Sequence, residues 1–280
     1  MKHHDSAPLT APAEPARSKH RHTEQRRPHR PVELLGPFDI GFGPSRQRLV
    51  RVYDPAPTAT RADGPIGRPL LLMFDGQNIF DDEPSYAGGW HVHREVERLA
   101  RTVVRPVVVA IDHGHQYRVT ELSPFPIAGQ TGELLRLLHW IIAQLLPELT
   151  MRYGLSTEPS QRVVGGASLG GLAALYAALR FPNEFGGAIA MSPSLWVHRG
   201  AFFKWVEGHP TPPGGRIYLD AGAKEARGSM LRSAKRLGSM LLGSGRVQLH
   251  FRADPRGQHR EADWRRRLLP ALRFHFGKSK

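Results

Sequence analysis

The 280 residues include no cysteine. That excludes disulfides, thiolate catalysis and cysteine-ligated zinc. No run approaches the ~18 consecutive apolar residues of a membrane span. The most apolar helical stretch, Leu134 to Leu149, is broken by Arg136, His139, Gln144 and Glu148, which suits a partly buried helix of a globular domain. The N-terminus has no apolar h-region, so no secretory signal is expected, and the expected compartment is the cytoplasm. No helix-turn-helix, RNA-binding signature or zinc finger is found. Neither specific nucleic-acid binding nor a membrane partner is therefore expected. There is no internal repeat.

Acidic residues are also scarce: 25 Asp and Glu against 39 Lys and Arg, for a formal net charge of +14. The excess is concentrated at the ends. Residues 1–31 carry seven basic residues against three acidic ones, and residues 252–280 carry nine against three. These stretches read as a solvated tail and a solvated helix face. Residues 1–30 are rich in Pro, His, Arg and Ala with no apolar periodicity, and are expected to be a disordered basic tail. Their histidines (His3, His4, His20, His22, His29) lack regular spacing, so no metal is assigned to them.

From Val32 onward strands alternate with helices. Strands are expected near 32–40, 47–53, 69–74, 106–111, 161–165, 186–191, 215–220 and 246–252. Helices are expected near 91–101, 131–150, 169–181, 200–207, 227–242 and 260–276. No helix separates the first two strands, so they should be antiparallel. The β-α-β-α order that follows implies an α/β domain over residues 31–280. Its central sheet should be mostly parallel, of about eight strands, with helices on both faces. Leu70–Phe74 and Val107–Ile111 are continuously apolar, as strands buried on both faces must be.

Gly166-Ala167-Ser168-Leu169-Gly170 fits G-x-S-x-G, the nucleophile elbow of α/β-hydrolases. A serine hydroxyl is a poor nucleophile unless it is aimed at a base and an incoming carbonyl. A tight strand-to-helix turn provides that aim, and side chains two residues to either side would collide. The following helix turns its N-terminal N–H groups toward the site. Here the motif lies between the strand ending at Val164 and a helix patterned by Leu172, Leu175, Tyr176 and Leu179, which Pro182 ends.

A Ser hydrolase of this type places its acid and then its His downstream, on loops after strands. His259, in Asp254-Pro255-Arg256-Gly257-Gln258-His259, is the one downstream histidine between the last strand and the last helix. His250 falls in a strand and His275 in the last helix, while His198 and His209 precede the acid-bearing strand. Two carboxylates compete for the acid: Asp220 at the strand end and Glu225 in the loop beyond Gly222. Glu225 is preferred because triad acids sit on such loops, and Asp220 is kept as the alternative. The oxyanion hole is assigned to the backbone N–H groups of Leu169 and Gln77, the latter in the loop Phe74–Asp81. Asp75 is read as fixing that loop. Trp90, Trp196, Phe80 and Tyr117 are candidates to shape a pocket. Arg118 and His115 are candidates to meet a polar or anionic substrate.

These pieces together resemble a known family. Leu72–Asp81, Gly89-Trp90, Ile111-Asp112, Arg118 and Glu121-Leu122-Ser123-Pro124 are similar to the "Putative esterase" family of α/β-hydrolases. Gly166–Gly171, Met191–Trp196, Leu219–Glu225 and Gly257-Gln258-His259 continue the match over residues 32–276. The family contains enterochelin, feruloyl and acetyl-xylan esterases, S-formylglutathione hydrolases and mycolyltransferases. The resemblance implies Ser168 and His259 as catalytic residues, Glu225 as the acid through Gly222-x-x-Glu225, and no cofactor. The expected function is hydrolysis of a small-molecule carboxylic ester through an acyl-enzyme. Acyl transfer by the same triad, and a non-catalytic protein binding acidic ligands, are the alternatives. The substrate and the oligomeric state stay open.

Overall fold

The computed structural model describes residues 30–43, 46–55, 67–85, 87–209 and 213–277. The stretch read as a disordered tail lies outside these residues except for Arg30. Eight strands form one sheet: β1 (Glu33–Phe38), β2 (Arg48–Tyr53), β3 (Leu70–Phe74), β4 (Val107–Ile111), β5 (Arg162–Ala167), β6 (Gly187–Met191), β7 (Gly215–Gly222) and β8 (Val247–Asp254). Their order is β1-β2-β4-β3-β5-β6-β7-β8. β2 runs antiparallel to both β1 and β4, and every other pair is parallel. The hairpin start and parallel remainder agree with the sequence pattern.

The helices are α1 (Val92–Glu97), α2 (Arg118–Glu121), α3 (Leu134–Trp140), α4 (Leu146–Tyr153), α5 (Leu169–Arg180), α6 (Val197–Gly208), α7 (Ser229–Gly243) and α8 (Glu261–Phe276). Alternation along β3 shows how the sheet is sandwiched. Leu70, Leu72 and Phe74 enter one core with Leu137 of α3, Leu149 of α4, Leu172 of α5 and Leu237 of α7. Leu71 and Met73 enter the other with Val96 of α1 and Trp264, Leu268 and Leu272 of α8. Each such side chain taken from water contributes about 1.5–3 kcal/mol before entropy is counted.

The helix expected over 131–150 is divided. A π-helical turn, Ile141–Leu145, lies between α3 and α4. Pro147 sits in the first turn of α4. It has no N–H to donate, and its ring would strike the carbonyl four residues back. Widening the preceding turn accommodates it without ending the helix. The helix expected over 91–101 is only α1, and α2 carries no sequence signal long enough to be read.

Candidate active site

The candidate residues gather at the carboxyl ends of β3, β5, β6, β7 and β8. Ser168 joins β5 to α5 with φ 56° and ψ −120°, a left-side backbone conformation that costs of order 1–3 kcal/mol for a residue with a side chain. Its neighbours explain how the turn closes. A Cβ on Gly166 would lie 2.6 Å from the Gly170 carbonyl carbon, so bulk at this position would force the elbow open. The strained serine is held from both sides by β6 and the loop that follows it. Its N–H donates to Met191 O at 3.0 Å, and its carbonyl accepts from Ser194 N–H at 2.9 Å.

His259 lies in the turn between β8 and α8. Its Nε2 is 3.0 Å from Ser168 Oγ, and its Nδ1 is 3.0 Å from Glu225 Oε2. Glu225 follows β7 at the start of a 3₁₀ turn. The loops that carry these two residues are stitched together, with Ala223 N–H donating to Asp254 O and Lys224 N–H to Gly257 O. Gly222 matters through this approach rather than through a turn. A Cβ there would lie 2.6 Å from Glu225 Oε1 and press on Gly257.

Glu225 is buried. Its Oε1 accepts from Ser192 Oγ at 2.7 Å and Gly222 N–H at 2.8 Å, with the Arg267 guanidinium at 3.4 Å. Burial pushes its carboxyl up, but the bonds from His259 and Ser192 and the charge of Arg267 outweigh it. The net shift is below the ordinary value. Asp220, the alternative acid, points elsewhere: it is fully buried with Oδ2 3.3 Å from Arg267 Nε. Burial pushes its carboxyl up to about 7 against the pull of Arg267. Asp220 ends in the second layer because strand side chains alternate in direction, whereas Glu225 sits on a loop free to turn back over the sheet edge.

Three participants escaped the sequence reading. Ser194 Oγ is 3.1 Å from Ser168 Oγ. Trp264 stands edge-on to His259, with ring centroids 4.9 Å apart, and donates Nε1–H to Ser192 Oγ at 3.1 Å. Arg267 belongs to the basic stretch 252–280 expected to be a solvated helix face, but its side chain is wholly buried. It lies three residues after Trp264, on the stripe of α8 that Leu268 and Ala271 also bury. That helical spacing is the signal that could have revealed it.

Leu169 opens α5, and Gln77 lies in a 3₁₀ turn, Gly76–Asn78, directly after β3. Neither N–H has a hydrogen-bond acceptor among the described residues. The Gln77 side chain instead accepts from His113 N–H at 3.0 Å. Asp75 adopts φ 61° and holds Arg118 in a two-pronged pair at 2.6 and 2.8 Å. Gly76 must be small, since a Cβ would lie 2.7 Å from Asp112 N.

A cavity of about 390 Å³ opens over Ser168 and His259, walled by Trp90, His113, Arg118, Arg260 and Trp264. Burial lowers the His113 imidazole below its ordinary value, so the wall is less cationic than its residue types suggest. Arg118 lines the cavity with its charge already met by Asp75. The remaining candidates are placed elsewhere. Trp196 is 60% exposed. Phe80 packs on Tyr53 and His93. Tyr117 lies under the Arg46 guanidinium at 4.3 Å. His115 is exposed and meets the edge of His113. A second cavity of about 280 Å³ lies at the far end of the sheet, between Pro159, Pro182 and Arg216.

Residues 44–275 match the family model described as "Putative esterase". Iron(III) enterobactin esterase from Dickeya dadantii (strain 3937) is 29% identical over 247 residues, 81% of this chain and 51% of that protein. The crystal structure of the enterobactin esterase FES from Shigella flexneri superposes with a TM-score of 0.65 at 24% identity, over 88% of this chain and 59% of that one. That of the BES protein from Bacillus cereus gives 0.68 at 18%, over 82% and 89%. The chain thus spans about half the length of the enterobactin esterases it matches. The likeness to the solved structures is one of fold, the α/β-hydrolase fold. No helix among the described residues is long and apolar enough to cross a membrane.

Proposed function

The chain belongs to the "Putative esterase" family, and we propose that it hydrolyses carboxylic esters through an acyl-enzyme formed on Ser168. The observation that carries this reading is the unbroken line Glu225–His259–Ser168, with both bonds at 3.0 Å. In this reading Ser168 Oγ attacks the ester carbonyl carbon and its proton passes to His259 Nε2. Glu225 accepts the Nδ1–H, which fixes the tautomer and balances the imidazolium. The negative oxygen of the tetrahedral intermediate is met by the N–H groups of Leu169 and Gln77 at the start of their turns. Collapse expels the alcohol with the proton from His259. Water, giving its proton to the same nitrogen, then releases the carboxylic acid.

Ser194 adds to this scheme. When Ser168 donates to His259, Ser194 is left to donate to Ser168 Oγ, which orients the nucleophile. The cavity's aromatic and polar walls suit an ester bearing an aryl or polar acyl group.

Ser168→Ala tests the reading. Turnover of p-nitrophenyl acetate should fall by at least about 10⁴-fold with the fold intact, since loss of a triad nucleophile removes nearly all rate beyond binding. A fluorophosphonate should label Ser168 in the native chain. Retained turnover, or labelling at Ser192 or Ser194, would overturn it. Free acid as the main product in the presence of an alcohol distinguishes hydrolysis from acyl transfer. A panel of short-chain, aryl and siderophore esters defines the substrate.

A further inference from the structure

The loop between the first 3₁₀ turn and α1, together with the first turn of α1, brings together one carboxylate and two imidazoles that the ester chemistry does not use. Backbone bonds close this loop. Trp90 N–H donates to Asn78 O at 2.9 Å and Val92 N–H to Ile79 O at 3.0 Å. These bonds set Asp81 on the outgoing limb opposite His91 and His93 on the returning one. One ligand atom from each of Asp81, His91 and His93 lies within 4.8 Å of the other two.

His91 is the informative member. Its backbone takes φ 51° and ψ 45° at the start of α1, a left-handed conformation that a side-chain-bearing residue holds only under constraint. The side chain is 7% exposed. Its Nε2 is 3.0 Å from Asp82 Oδ1, which also accepts from Gly89 N–H at 2.9 Å. Asp82 is acceptor-only when ionised, so Nε2 carries the hydrogen and Nδ1 carries the lone pair. That buried Nδ1 has no hydrogen-bond partner among the described residues. An imidazole with one nitrogen tied to a carboxylate and the other presenting a lone pair is how proteins prepare a metal ligand.

We propose that Asp81, His91 and His93 bind a divalent transition-metal ion of the zinc class, with Asp82 orienting His91 from behind. Two imidazoles and one carboxylate are a borderline donor set that suits zinc, cobalt(II) or iron(II) over calcium or magnesium. Bonds of about 2.0–2.2 Å set the spacing the three donors must reach around the ion. Asp81 is exposed and is free to draw in. The ion would pin the loop that also carries Trp90, the neighbour of His91 that walls the cavity over Ser168. The proposal is independent of the ester chemistry.

The test uses the full chain stripped with EDTA and titrated with Zn(II), and separately with Co(II). The histidines of residues 1–30 are present in every variant, so only differences between variants report on this site. Zinc at a hundredfold excess over its Kd should raise the native Tm by about 5 °C, and Co(II) should develop visible d–d bands. Asp81→Asn, at an exposed position, should keep the apo Tm and cut zinc affinity at least tenfold. His91→Gln should abolish the Tm rise and the bands. No rise in the native chain, or the same rise and bands in both variants, would overturn the site.

Discussion

Two buried arginine–carboxylate clusters sit at opposite ends of the sheet, and they differ in balance. At the β2 end, Arg46 and Arg48 face Glu121 and Glu133, two cations for two anions. Arg46 reaches Glu121 at 2.7 Å and Glu133 at 2.6 Å, Arg48 also pairs with Glu121, and Arg46 is sandwiched between Phe42 and Tyr117. At the β7 end three carboxylates share two cations: Arg267 faces Asp220, Glu225 and Asp254 at 3.3, 3.4 and 3.8 Å, and the half-exposed Arg266 reaches only Asp254, at 2.7 Å, so Arg267 is the cation buried with Asp220 and Glu225. In the balanced cluster the arginine hydrogen bond to Glu133 prevails over burial and lowers its carboxyl. In the anion-rich cluster the shared cation does not suffice. Glu225, which also accepts from His259, Ser192 and Gly222, stays below its ordinary value, while Asp220 rises to about 7. A balanced cluster holds loops together. An anion-rich one sorts carboxylates, keeping one ionised beside the imidazole and letting the other take a proton.

The sharpest way to break the comparison is to remove the shared cation. Arg267→Met leaves carboxylates buried without their partner, which should cost about 3–5 kcal/mol. It should also lower kcat on a model ester at least tenfold in the fraction that stays folded, because Glu225 loses a support. Denaturant titration and active-site-normalised kinetics separate the two effects. Glu121→Gln is the counterpart at the other end. It strands Arg48 and should cost about 3 kcal/mol, yet leave kcat per folded molecule within about twofold. Equal kinetic losses in the two variants would show that the clusters do not differ in role.

Asp220→Asn addresses the sorting. A carboxyl raised from 3.8 to about 7 in the fold binds more protons folded than unfolded between those values. It therefore withdraws stability as pH rises through that window. The asparagine variant should lose this slope and gain relative to the native chain above pH 7, by up to a few kcal/mol. Chemical denaturation at pH 5 and pH 8 reads the difference, and an unchanged slope would refute the assignment. The smallest effect belongs to Glu133→Gln, whose partly exposed carboxylate should contribute only about 1 kcal/mol, measured as a Tm drop of about 2–4 °C.

Legibility along the chain followed the range of the interactions. β3 and β4 could be placed within one residue because burial on both faces demands unbroken apolar runs. Ser168 stood out because the elbow is a local device: its glycines, strand and helix are contiguous. His259 could be named from its position in the β8–α8 turn. The choice between Asp220 and Glu225 was weaker, since it depends on which way a loop folds back. Arg267 and Ser194 were missed. An arginine among arginines reads as surface, and a serine two residues past a strand has no pattern of its own.

Local sequence carried the order of strands and helices, the family, and the residues whose surroundings are built from adjacent positions. Periodicity and turn chemistry act over a few residues and leave their mark there. Tertiary packing placed Glu225 rather than Asp220 against His259, buried Arg267 behind it, and brought Asp81 to His91 and His93 across a closed loop. Those outcomes depend on loops approaching from separate strands and on how one buried cation is shared, and no short stretch of chain encodes either.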